Sequence, residues 1–150
     1  MKRSGRRRFV SLLSGLFALP LLPARAARAD DLGPLIRKLT QGAPLGEGRV
    51  RLELPRLADN GHSVPLKVSV ESPMSESEYV RRVTLLSERN PRPVMATFHF
   101  NPRCGRAQIA TRVRLNGTQR VHAIAQLSDG SYWSASAEVE VTESACLDMT

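Results

Sequence analysis

The feature that most constrains this chain is a period of two in its apolar residues, repeated in short runs between turn signals. Val50, Leu52 and Leu54 alternate in 49–54, and Val64, Leu66, Val68 and Val70 alternate in 63–70. The same pattern recurs at Val94, Ala96, Phe98 and Phe100, and at Ile109, Thr111, Val113 and Leu115. It returns at Val121, Ala123, Ala125 and Leu127, and at Ala137, Val139 and Val141, while 79–87 supplies a less regular run. Such alternation puts one face of an extended segment on a core and the other in water. Asn60-Gly61, Ser72-Pro73, Asn90-Pro91, Asn101-Pro102, Asn116-Gly117 and Asp129-Gly130 punctuate the runs. About seven short half-buried strands in one small domain predict an all-β fold, an immunoglobulin-like antiparallel β-sandwich. A short N-terminal helix is expected within 30–42, which has acids at its start and Gly42 near its end. Asn116-Gly117 and Asp129-Gly130 predict a three-stranded meander over 107–142.

The formal charge of +8 is unevenly placed. Residues 1–29 contain Lys2, Arg3, Arg6, Arg7, Arg8, Arg25 and Arg28 and no acid, which leaves 15 basic against 14 acidic residues in the rest. A nearly neutral domain gives no electrostatic case for nucleic acid. The basic start is followed by an apolar run from Phe9 to Leu22, broken by Ser, Gly and Pro, and then by Ala24-Arg25-Ala26 and Ala27-Arg28-Ala29. This is the layout of an export signal, with cleavage expected after Ala29. The run is too short and interrupted for a membrane anchor. Arg6 and Arg7, followed by Arg8-Phe9, match the core of a twin-arginine signal. An ordinary export signal with a rich basic region is the alternative, and either one leads to the periplasm. The expected division is therefore an export signal at 1–29, a folded domain at 30–142 and a C-terminal arm at 143–150.

Candidate chemistry in the folded part is sparse. His62, His99 and His122 lack ligand spacing and read as solvated surface residues, so no metal site and no cofactor are expected. Asn116-Gly117-Thr118 matches a glycosylation sequon and reads more simply as a tight turn. Met74, in the polar connection 72–80, fits either a surface anchor for a partner or a partly buried loop residue. No phosphate loop or nucleophile elbow occurs, and no catalytic residue set is expected.

The two cysteines remain. Two cysteines in an oxidising compartment most simply form one disulfide. Cys104 lies in the loop "NPRCGRA", and Cys146 follows the last alternating run. Three successive strands of about 25 Å each would bring the chain out at the end opposite Cys104. The stretch from Thr142 to Cys146 reaches at most about 14–18 Å, and a disulfide needs Cα atoms within about 7 Å. The expected topology thus argues against an internal bridge. Termini not held by packing stay disordered, so Cys146 reads as an accessible thiol on a mobile arm. Glu143 and Asp148 nearby disfavour the thiolate, and with it a nucleophilic catalyst.

At this point the chain resembles a known family, SoxY, the sulfur-carrying subunit of the periplasmic thiosulfate-oxidising system. The resemblance spans "LADNGHSVPLKVSVESPM" (57–74), "YVRRVTLLSERNPRPVMATFHFNP" (79–102), "AQIATRVRLNGTQRVHAIAQLSDGS" (107–131) and "VEVTESAC" (139–146). It implies an immunoglobulin-like subunit paired with SoxZ, with thiosulfate-derived sulfur attached covalently to Cys146. It further implies attachment by SoxAX, release of sulfate by SoxB and oxidation of the remaining sulfur by SoxCD-type enzymes. Such a subunit is a carrier without catalysis of its own.

The arm departs from the family pattern. Family members place the cysteine in Gly-Gly-Cys-Gly-Gly, whereas here the sequence is Glu143-Ser144-Ala145-Cys146-Leu147-Asp148-Met149-Thr150, without glycine. Glycine opens backbone conformations that Ala and Leu resist. Two alternatives therefore stay open: a divergent SoxYZ-like carrier serving another periplasmic oxidation system, and a non-carrier interaction module with a structural disulfide.

Overall fold

The structure is a computed structural model that describes residues 31–143. One helix, α1 (Gly33–Thr40), precedes nine strands: β1 (Leu45–Gly46), β2 (Val50–Glu53), β3 (Leu57–Asn60), β4 (Val64–Val70), β5 (Val80–Ser87), β6 (Val94–His99), β7 (Ala107–Val113), β8 (Gln119–Leu127) and β9 (Tyr132–Glu143). A 3₁₀ turn, Pro102–Cys104, leads into β7.

The strands form two sheets. The larger runs β1-β9-β8-β5-β6, with β3 also pairing β9, and the smaller runs β2-β4-β7. The inward sets meet between them. β4 contributes Val64, Leu66, Val68 and Val70, and β8 contributes Val121, Ala123, Ala125 and Leu127, all buried. Each large apolar side chain taken fully from water contributes about 1.5–3 kcal/mol, so this interdigitated layer is the main source of stability. The immunoglobulin-like sandwich expected from the alternation is thus present, with nine strands in place of about seven.

Both additional strands, β1 and β3, pair with β9 in parallel. They have two and four residues, and Leu57 of β3 is largely exposed, so neither carries a legible alternation. The irregularity of 79–87 has a different cause. Leu85 faces the sandwich core, whereas Leu86 belongs to a second cluster on the outer face with Ile124 and Tyr132. Leu32, Leu35, Ile36 and Leu39, spaced along one face of α1 and its entry, cover that cluster. Burial on both faces removes the need to alternate. Pro34 sits in the first turn of α1, and Gln41 ends it in a left-handed conformation (φ 55°).

The expected meander is corrected. β8 and β9 do form a hairpin through Asp129-Gly130, where Gly130 takes φ 87°. β7, however, pairs with β4 in the other sheet, so Asn116-Gly117 carries the chain across the sandwich. A turn dipeptide fixes a local reversal and not the strand that will be paired. Met74 is also corrected as a surface anchor. It is buried against the core, and its Sδ accepts a hydrogen bond from the Val80 amide at 3.5 Å.

Candidate functional site

Cys146, Arg6 and Arg7 lie outside the described residues, as do Ser144 and Ala145. The fold does define the point from which the C-terminal segment departs. Leu57, Ala58 and Asn60 of β3 register with Glu140, Val141 and Glu143 of β9. The Gly61 amide donates to the Glu143 carbonyl at 2.7 Å, and the Gly61 carbonyl accepts from the Leu115 amide at 2.8 Å. Thr118 grips the strand from its other edge: its Oγ1 accepts from the Val141 amide at 2.9 Å. Thr142 Oγ1 donates to the Asp59 carbonyl. Two turns that the sequence marks only as reversals, Asn60-Gly61 and Asn116-Gly117, therefore converge on the end of β9.

Behind this clamp lies a buried polar network. Ser87 Oγ bonds Gln119 Oε1, and the Arg89 amide donates to the same oxygen at 3.1 Å. Asn90 joins the two sheets, its Nδ2 donating to the Arg114 carbonyl at 2.8 Å and its Oδ1 accepting from the Asn116 amide at 2.9 Å. Each buried polar atom so satisfied avoids a cost of about 1–3 kcal/mol. The network ties the connection after β5 to the crossing after β7 at this end of the sandwich.

Cys104 lies at the other end. In the β4–β7 pair, Val64 opposes Val113 near the β9 terminus, whereas Val70 opposes Ala107 next to the 3₁₀ turn. Cys104 is exposed there, its Sγ 3.8 Å from Asn101 Oδ1. The seven residues of β7 separate Cys104 from the Val113 end of the strand by about 20 Å. The expected separation of the two cysteines concerns Cys146, which lies outside the described residues.

The remaining candidates are not brought together. His62 and His99 are exposed. His122 differs from its expected solvated state: it is half-buried on the outer face of β8, with Nε2 2.9 Å from Glu88 Oε1. Among the described residues, no three His, Cys, Asp or Glu side chains converge to hold a metal ion. Asn116, the sequon residue, has its side chain turned toward the Arg89 carbonyl at 3.3 Å.

These features define an immunoglobulin-like sandwich whose last strand is tied down at one end, with Cys104 exposed at the other. The chain belongs to the family of the sulfur oxidation protein SoxY, whose model matches residues 36–146. Among solved structures it is similar to the sulfur carrier protein SoxY from Chlorobium limicola f thiosulfatophilum. That match has a TM-score of 0.62 and 25% identity, covering 74% of this chain and 96% of that one. It is also similar in fold to a superoxide reductase (neelaredoxin) from Ignicoccus hospitalis, with a TM-score of 0.56, 19% identity, and 63% and 80% of the two chains covered. A superoxide reductase from Nanoarchaeum equitans matches with a TM-score of 0.51 and 14% identity, covering 64% of this chain and 100% of that one. The two reductases share the sandwich alone. No curated protein sequence matches the chain.

Proposed function

We propose that this protein is a periplasmic sulfur carrier that holds thiosulfate-derived intermediates covalently on Cys146. The observation that carries the reading is the family match, which runs through residue 146 and so includes the cysteine. The end of β9 supports it, because a carrier needs a firmly rooted tether. Glu143, linked to Leu115 by two hydrogen bonds through the Gly61 backbone, supplies that root. Export by the twin-arginine route through Arg6 and Arg7 places the carrier with its partners. SoxZ is the constitutive partner, and SoxAX, SoxB and SoxCD-type enzymes visit the arm in turn. The protein is a covalent substrate for these enzymes and not itself a catalyst.

The glycine-free arm favours a second reading within the same class. Ala145 and Leu147 flank the cysteine where glycines would give the freest backbone, which suits a divergent carrier with partners of wider entrance.

Replacement of Cys146 tests the proposal. In a reconstituted Sox system, Cys146→Ser is expected to abolish sulfate formation from thiosulfate while SoxZ binding and thermal stability persist. Sulfate formation at the native rate by Cys146→Ser would overturn it.

A further inference from the structure

The clearest unassigned surface is the open side of the sandwich. There β6 and β7 are each the last strand of their sheet, and a groove of about 660 Å³ lies between them. Val94, Ala96 and Val113 line it, and Arg92, Arg112 and Arg114 stand around it. Val94 is 40% exposed, and farther along the same edge Phe98 and Phe100 are only half-buried against the core. Apolar side chains are therefore uncovered along this side, next to strand edges whose outward backbone groups have no ladder to join.

Charge is sorted onto the same side. From Arg89 to Ser128 the sequence holds seven arginines and no Asp or Glu, so all 14 acids of 30–150 lie elsewhere. Arg92, Arg112 and Arg114 are exposed, and the three ion pairs among the described residues use Arg49, Arg120 and His122 instead. Arg112 is directed by Ser63, whose Oγ accepts from its Nε at 2.6 Å. Arg103 and Arg106 carry the basic border to the far end, around the 3₁₀ turn that joins β6 to β7. Guanidinium groups beside an apolar slot and two open strand edges fit an extended segment that alternates acidic and apolar side chains. A second copy of this chain does not fit, because a two-fold contact sets a patch against itself and arginine would meet arginine. A lipid surface would meet the arginines and leave the strand edges unpaired.

We propose that the β6–β7 side is the docking site for an extended, acidic segment of a partner protein. The segment adds to a strand edge, lays apolar side chains over Val94 and Ala96, and sets carboxylates against Arg92, Arg112 and Arg114. The site adjoins the end of β9. Arg114 precedes Leu115, whose amide donates to the Gly61 carbonyl, and the Gly61 amide donates to the Glu143 carbonyl. A partner docked here is held beside the point where β9 ends. The biological meaning rests on the carrier reading, in which partners must find that end of the fold; the binding itself does not.

Binding of model peptides to the mature protein, without any sulfur donor, tests this. The probes are a capped nonapeptide alternating Glu and Val and its counterpart alternating Lys and Val. The Glu peptide is expected to bind at low salt, to weaken as salt rises, and to shift the backbone amide resonances of β6 and β7. Arg92→Glu and Arg114→Glu should each weaken it about two- to fivefold, the size exposed ion pairs give. Arg51→Glu, an equal charge change on β2 at the opposite edge of the smaller sheet, should alter it little. Arg114→Glu leaves the Asn90 bond intact, because that bond uses the Arg114 carbonyl, and circular dichroism checks each fold. The proposal is overturned if the Glu peptide does not bind, if both peptides bind alike, or if Arg51→Glu costs as much as Arg114→Glu. Displacement of the peptide by thiosulfate at constant ionic strength would assign the arginines to a small anion, and displacement by phosphatidylglycerol vesicles to a lipid surface; either result also overturns it. Sulfur loading of Cys146 is measured separately, so loss of the docking site and loss of the carrier function are told apart.

Discussion

The Gly61 amide donates to the Glu143 carbonyl at 2.7 Å, tying the last described residue of β9 to a turn more than eighty positions earlier. The pairing of β3 with β9 makes this contact possible and gives the C-terminal segment a fixed origin. A carrier depends on that origin, because the reach of an arm is set by where it is rooted as well as by its length.

Thr118 is the second half of the root. Its Oγ1 accepts from the Val141 amide at 2.9 Å, so Thr118→Val leaves that amide without its partner. The expected cost is about 1 kcal/mol. Hydrogen exchange at Val141 should accelerate well beyond exchange in the centre of β9, and uniform acceleration would show that the residue matters only globally.

The network at Gln119 is the more sensitive point. Gln119→Leu removes the acceptor for Ser87 Oγ and the Arg89 amide in a buried setting. A loss of about 2–4 kcal/mol is expected, from unsatisfied groups that cost about 1–3 kcal/mol each. Urea denaturation reads this directly, and a loss below 1 kcal/mol on the scale of an ordinary surface change would contradict the role.

Gly46 is required by close approach. A Cβ there would lie 2.7 Å from Trp133 Cε3. Trp133 in turn supports Arg49, whose guanidinium carbon is 5.0 Å from the ring centroid and whose Nη1 is 2.6 Å from Glu78. Gly46→Ala is therefore expected to displace the indole, alter tryptophan fluorescence and destabilise the fold by about 1–3 kcal/mol. Unchanged emission and stability would mean that β1 moves freely.

The turn of the β8–β9 hairpin holds an acid-sensitive carboxyl, Asp129. The Ser131 hydroxyl, and then its amide, hydrogen-bond Asp129 and hold its carboxyl below the usual aspartate range. A carboxyl with a lowered folded-state pKa stabilises the fold above the unfolded value of about 3.9. That contribution is lost as pH falls through the lowered folded value. Asp129→Asn should flatten the decline in stability below about pH 4. An acid limb identical to the native one would assign that decline to other carboxylates.

Much of the sandwich was legible because burial on one face writes itself as alternation. Val64, Leu66, Val68 and Val70 are the clearest case, and all four are buried. β5 was less legible because α1 covers its outer face and Leu86 is as buried as Leu85. β1 and β3 left no period, being short edges held by a parallel partner. The site was legible in part. Cys146 stands out in the sequence and lies outside the described residues. The convergence of Gly61 and Thr118 on β9 arises only when distant segments meet.

The most direct test of the account is the mass of the mature protein, purified with SoxZ from cells supplied with thiosulfate and measured with and without reductant. The account predicts a reductant-labile adduct of one thiosulfonate or persulfide on the peptide containing Cys146, and none on the peptide containing Cys104. A Cys146 that stays unmodified, or is found only in a fixed disulfide, under conditions that load a Gly-Gly-Cys-Gly-Gly carrier would contradict it.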